Sequence, residues 1–225
     1  VISVLIPSIG RADRVSTIVD NIDRSTTVRH EVVFVTEADH VDAYAAVMVG
    51  QSWDNVSLIV NERAPNYSGA INTGIASTAD PFVFLGADDL EFTDGWDTAA
   101  LAHMDGWIGV VGTNDLLNPY VLAGAHSTHS LVARWYIDEI GGTVDGGPGI
   151  CLPEVYFHNY TDTEFIGTAK MRARFRPCLE SVVRHMHWSA GLTQRDSVTD
   201  KEEATLAADS ATYDARRELW FNISR

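Results

Sequence analysis

Cysteine is scarce: Cys151 and Cys178 are the two in 225 residues, and they form no Cys-x-x-Cys spacing. That argues against a disulfide-built scaffold and a structural zinc site, and it fits a reduced, cytoplasmic setting. Basic residues are also few, 16 against 31 acidic, for a net charge of −15. So acidic a chain does not present the basic face that a nucleic acid polymer or an anionic membrane requires. A nucleotide stays possible, because a metal ion can supply the missing positive charge. No apolar run reaches the ~18 residues of a membrane span, so no transmembrane segment is expected. The chain opens on Val1–Ile6 with no basic stretch before it, which reads as a first strand and not a signal peptide. The four Asn-x-Ser/Thr triplets, at Asn55, Asn66, Asn159 and Asn222, are then chance matches. No Gly-x4-Gly-Lys-Ser/Thr run occurs, which excludes a P-loop enzyme.

What is present is ordinary for a globular protein: 45% hydrophobic and 21% charged residues. The first half alternates strand-like and helix-like segments, the pattern of a mostly parallel α/β sheet flanked by helices. Strands are predicted at 1–6, 31–36, 56–60, 82–85 and 108–112. Helices are predicted at about 12–23, 40–49, 68–76 and 96–104. The second half is less regular. Residues 122–131 read as extended, 132–140 as helical and 141–149 as a Gly-rich loop. A helix follows from Thr161 or Asp162 to about Phe175, with Glu164 placed for a capping box. Then come a strand over 178–183 and a charged tail from Thr199, with Tyr213, Leu219, Trp220 and Phe221 as docking residues. This divides the chain into a nucleotide-binding half (1–112), a catalytic and acceptor half (113–198) and a helical tail (199–225).

The feature that organises the rest is Phe82-Val83-Phe84-Leu85-Gly86-Ala87-Asp88-Asp89-Leu90-Glu91. A run that reads as a buried central strand ends in three carboxylates within four residues. Ligands in open α/β sheets bind outside the carboxyl ends of such strands. Carboxylates there can hold a hard divalent cation, and the cation can hold phosphates. Taken alone, an Asp-Asp pair is as well explained by a solvated turn.

Read together, the segments resemble the family-2 glycosyltransferases of the GT-A fold, over most of the chain. The Pro7-Ser8-Ile9-Gly10-Arg11 loop looks like the family's nucleotide-facing loop, and Glu37 follows the strand whose acidic end lies near the base or ribose. Gly69-Ala70-Ile71-Asn72-Thr73-Gly74, after Asn66, is similar to the family's small-residue helix ending in Asn-x-Gly. Gly86-Ala87-Asp88 stands where an Asp-x-Asp motif is usual, with a glycine in place of the first carboxylate. The resemblance therefore implies donor contacts from Pro7, Ser8, Gly10, Arg11, Glu37, Asn66, Gly69, Asn72, Gly86, Ala87 and Asp88. It implies Mn²⁺ or Mg²⁺ on Asp88 first and Asp89 second, with a nitrogen ligand from His187 or His185. It implies Asp162 as catalytic base, with Glu164 as its substitute.

The chemistry matches those residue types. A leaving nucleoside diphosphate gathers negative charge that a divalent ion stabilises, and imidazole ligands favour Mn²⁺ over Mg²⁺. The acceptor hydroxyl must lose a proton, which a carboxylate within hydrogen-bond reach can take. One base opposite the leaving group implies inversion. The expected donor is a nucleotide sugar, a UDP-sugar first, and the acceptor a glycan, a protein or a lipid-linked sugar. His185 and His187 are read as alternating along a strand end, so that one of them faces the site. His126 and His129 are candidates to line the acceptor side. Lys170, Arg172, Arg174 and Arg176 read as a solvated helix face, and Trp96, Trp107 and Trp135 as buried aromatics. Two other readings stand beside this one: a nucleotidyltransferase-like enzyme, weakened by the lack of a Gly-rich, Lys-bearing loop near the first strand, and a non-catalytic carbohydrate-binding module.

Overall fold

A computed structural model describes residues 1–221, with side chains to Leu219. Strands β1 (Ile2–Pro7), β2 (His30–Thr36), β3 (Val56–Val60) and β4 (Phe82–Leu85) alternate with helices α1 (Val15–Ser25), α2 (Val41–Met48) and α3 (Tyr67–Ser77). β5 (Leu90–Phe92), α4 (Trp96–Ala102), β6 (Val110–Asn114), α5 (Pro119–Leu122) and β7 (Ser130–Ala133) follow, then α6 (Thr161–Met171), β8 (Phe175–His185) and α7 (Ser197–Phe221). The strands join in one eight-stranded sheet ordered β3-β2-β1-β4-β7-β6-β8-β5.

β1 to β4 run parallel, while β7 is antiparallel to both β4 and β6, and β5 to β8. The parallel strands are apolar without interruption because both faces are covered. Side chains alternate between the faces: Ile2, Val4 and Ile6 enter a core with Phe34, Phe84, Phe92 and Trp96. Leu5, Val33 and Val35 enter a second core with Ile71, Phe165 and Ile166. Small residues let α3 sit close to the sheet, as expected. A Cβ on Gly74 would stand 3.0 Å from the Leu5 side chain of β1, and one on Gly69 2.0 Å from the Ala64 carbonyl oxygen in the loop before α3.

The second half departs from the sequence reading in four places. Residues 122–131 are not one extended segment, because α5 and a turn precede β7, and the expected helix at 132–140 begins only at Arg134, after β7, and ends in a π-helical turn at Tyr136–Ile140. The capping box at α6 does not form. Tyr160 occupies the cap in a left-handed conformation without a side-chain cap bond, and Thr161 instead hydrogen bonds Ser68 at 2.6 Å. The basic residues after α6 are not a solvated face. Arg172 donates to the carbonyls of Gly141 and Thr143, Arg174 stacks on Trp107 at 3.5 Å, and Arg176 donates to the His103 carbonyl. Of the docking residues, Tyr213 stacks on Tyr160 at 4.9 Å, whereas Leu219 is exposed. Trp220 and Phe221 lie outside the described side chains. Among the described residues, no helix is long and apolar enough to cross a membrane.

α7 is a working part of the fold. Asp209, fully buried, accepts from the backbone N–H groups of Phe157, His158 and Asn159 at 2.7–2.9 Å. Arg216 reaches Glu164 at 2.7 and 2.8 Å and also Asp145 at 2.8 Å.

Candidate active site

The carboxyl ends of β1, β2 and β4 open on one cleft of ≈ 290 Å³. One side is built by Pro7 at the end of β1 and Ser8 and Arg11 after it, by Glu37 after β2, and by Ala87, Asp88 and Asp89 after β4. Opposite stand His129, Asp162, His185 and His187, with Val198 and Glu202 of α7 closing the wall. Strand β4 can carry Asp88 and Asp89 to this edge because the Gly86 N–H donates to the Leu5 carbonyl at 2.9 Å, extending the β1–β4 pairing by one residue.

The two adjacent aspartates have different partners. Asp88 is buried, its Oδ1 accepting from Arg11 Nη1 at 2.7 Å and its Oδ2 from Ser8 Oγ at 2.6 Å. Burial pushes the Asp88 carboxyl up, and Arg11 pulls against it. The Arg11 guanidinium also binds Asp196, just before α7, at 2.7 and 2.9 Å. Asp89 Oδ2 meets His185 Nε2 at 3.2 Å, and the Asp89 carbonyl accepts from the Met186 N–H at 2.8 Å. Burial alone would raise the Asp89 carboxyl, but the hydrogen bond and charge of His185 hold it well below the usual range. His187 lies beside His185, ring centres 5.0 Å apart, and both line the cleft. The expectation that only one would face it fails because residues two apart in an extended segment share a face.

Asp162, in the first turn of α6, accepts from the Thr163 N–H at 2.7 Å and meets His126 Nε2 at 3.0 Å. Burial raises its carboxyl, yet the His126 contact outweighs this, so Asp162 is ionised at neutral pH, the form a base requires.

Several expected residues are elsewhere. Glu164 is fully buried under Tyr156 and Arg216, so it does not reach the cleft and cannot replace Asp162. Asn72 is buried too, accepting from the Cys151 and Leu152 N–H groups and donating to Leu152 and Glu154, which makes it an anchor for that segment and not a donor contact. Asn66 reaches the cleft, but its side chain caps α3 by accepting from the Gly69 N–H. Gly10, Gly69 and Gly86 do not line the cleft.

The sequence reading missed Tyr67, His158, Tyr160 and the α7 wall, which reach the cleft through loops and a helix whose local patterns give no hint of it. His158 follows Phe157 in the loop that Asp209 holds.

The sequence model of the family described as "Glycosyl transferase family 2" matches residues 3–135, more than half of the chain. The chain belongs to glycosyl transferase family 2. No curated protein matches it in sequence. Solved structures share its fold. A mannosyltransferase from Pyrobaculum calidifontis, in complex with GDP-Man and Mn²⁺, is 17% identical with a TM-score of 0.62, covering 82% of this chain and 56% of its own. Glucosyl-3-phosphoglycerate synthase from Mycobacterium tuberculosis, in complex with Mn²⁺, UDP and phosphoglyceric acid, is 13% identical with a TM-score of 0.62, covering 96% and 78%. TarS 1–349 of S. aureus is 13% identical with a TM-score of 0.60, covering 82% and 60%. This family-2 chain thus spans little more than half the length of the mannosyltransferase. The expected GT-A fold holds.

One buried histidine of this family-2 cleft gives a pH signature. His129 donates through its Nδ1–H to the Leu85 carbonyl, 3.0 Å away, while its Nε2 is buried with no partner. Burial, then the neighbouring His185 charge, lower its pKa from 6.5 to about 4, against the pull of Asp89 and Asp115. The unfolded chain therefore binds this proton first. His129 contributes stability above pH 6.5 that is lost as pH falls toward 4, on the order of 3 kcal/mol. His185 is shifted the other way, upward against burial by Asp89, so its contribution changes above pH 6.5, outside this window. Urea midpoints at pH 7 and 4.5 should differ accordingly, and His129→Gln should flatten the difference.

Proposed function

We propose that this chain transfers a glycosyl group from a nucleoside-diphosphate sugar to an acceptor hydroxyl, with inversion. The observation that carries the reading is the meeting, in one cleft of a family-2 chain, of the β1 loop, Glu37, the Asp88-Asp89 pair, His185 and Asp162.

The residues fit a divalent ion. Asp89 and His185 already meet, His187 adjoins them, and a carboxylate–imidazole set suits Mn²⁺. Asp88 ranks behind Asp89, because Arg11 and Ser8 fill its two oxygens. Asp89, His185 and His187 would hold Mn²⁺ or Mg²⁺, which when bound offsets the charge of the departing diphosphate. Pro7, Ser8, Glu37 and Ala87 would face the nucleotide. Arg11, tied between Asp88 and Asp196, fixes the β1 loop on the strand end. Asp162 takes the acceptor proton, and His126 keeps it ionised and oriented. The complexes of the Pyrobaculum and mycobacterial enzymes with GDP-Man, UDP and Mn²⁺ support this donor class. They include both guanine and uracil nucleotides, so both are tested, UDP first.

Mn²⁺ and a nucleoside diphosphate should stabilise the protein only when added together. At a hundredfold excess over Kd the gain is about 2.7 kcal/mol, or a rise in Tm of roughly 5–10 °C. A panel of UDP, GDP and TDP with Mn²⁺ reads this out by thermal melting. No shift with any of the three sinks the donor-site reading.

A further inference from the structure

A second group of metal-ligating side chains lies on the far end of the same strand that carries His185. Cys178 and Glu180 lie two residues apart in β8, where its register against β6 shifts, and His103 comes from the C-terminal cap of α4, which packs on β8. Their ligand atoms all lie within 4.8 Å of one another. Two details single the group out. The Cys178 Sγ to Glu180 Oε2 separation is 3.7 Å, close to the roughly 3.5 Å between a sulfur and an oxygen on one tetrahedral zinc ion. The His103 Nδ1 is buried and makes no hydrogen bond, although buried polar atoms are ordinarily partnered.

We propose that His103, Cys178 and Glu180 form a second metal site, distinct from the cleft, that takes Zn²⁺ or a similar borderline-soft divalent ion. Thiolate, imidazole and carboxylate are the ordinary zinc ligands, and Glu180, exposed, leaves the fourth position open to water. The Cys178 thiol, which donates to the Ala99 carbonyl at 3.5 Å, gives up its proton to solvent on binding, and the ion replaces that contact. Arg176, which donates to the His103 carbonyl, is neutralised by Asp105 at 3.2 Å. Six residues of β8 lie between Cys178 and His185, at most roughly 23 Å of strand, and none of the three ligands lines the cleft, so this ion does not take part in the chemistry of the cleft. It clamps α4 to β8. The spacing of the two cysteines hides the site because its ligands come from positions 103, 178 and 180.

Co²⁺ is the probe, since a thiolate–cobalt charge-transfer band in the near ultraviolet reports this site alone: the cleft residues include no cysteine. One equivalent of Co²⁺ added to the whole protein should raise the band, and Zn²⁺ should bleach it. Cys178→Ser should abolish it and Cys151→Ser leave it intact. Glu180→Gln, at an exposed position where folding is not at risk, should weaken Co²⁺ at least about tenfold. Absence of the band overturns the proposal. So does a band that survives Cys178→Ser, or one whose Co²⁺ affinity is unmoved by Glu180→Gln.

Discussion

Writing the missing carboxylate back into the β4 strand end, Gly86→Asp, should cost about 3 kcal/mol or more of stability and bring no gain in metal binding. A Cβ at position 86 would stand 2.6 Å from the Leu5 carbonyl oxygen and 2.8 Å from Ile6 Cδ1. The first is backbone of the central strand and cannot step aside without breaking the β1–β4 pairing. Overpacking of this kind costs about 1–3 kcal/mol, and an uncompensated buried carboxylate adds several more. Gly86→Ala separates the two costs, since it brings the clash without the charge. Urea midpoints for the two variants, with Mn²⁺ titrations on whatever folds, check the expectation. A Gly86→Asp protein of native stability that binds Mn²⁺ more tightly would show that β4 tolerates the usual motif. On the present geometry, glycine is there because β1 leaves no room.

Asp162→Asn should lower turnover of the nucleotide sugar by about 10²–10⁴-fold while leaving the joint Mn²⁺ and nucleoside diphosphate stabilisation in place. The change is nearly isosteric. The Asn side-chain oxygen can still accept from the Thr163 N–H, so the first turn of α6 keeps its geometry, while the amide nitrogen replaces the oxygen that meets His126 and the negative charge is lost. Nucleoside diphosphate released per minute gives the first readout and the melting curve the second. Loss of both would make Asp162 a structural residue, and retention of activity would move the role of base to another group. Glu164 is not that group, because Arg216 and Tyr156 hold it inside the protein.

The sequence made the first half of the fold legible because its signals are local. Strand runs such as Val32–Val35 and Phe82–Leu85 are apolar throughout, and Asn66 and the small residues after it mark α3. The strand-end carboxylates and Asp162 were legible as a set only through their resemblance to a family. What escaped was long-range. β7 enters the sheet antiparallel between β4 and β6, a pairing that nothing in Ser130–Ala133 announces. Arg11 and Ser8, 77 and 80 residues away in the chain, fill the oxygens of Asp88, a pairing that no local pattern announces. Glu164 had the right spacing for a cap, but Arg216, 52 residues on, offered its buried carboxylate a stronger partner.

The ties of α7 also set the order in which the molecule can be assembled. Arg11 and Asp196 are 185 residues apart, and the loop that brings His158 to the cleft hangs on Asp209. During synthesis the cleft cannot be walled until about 110 further residues have followed Asp89, roughly 5–20 s at ordinary elongation rates. A nascent chain therefore displays its acidic strand end long before it has a site to enclose it.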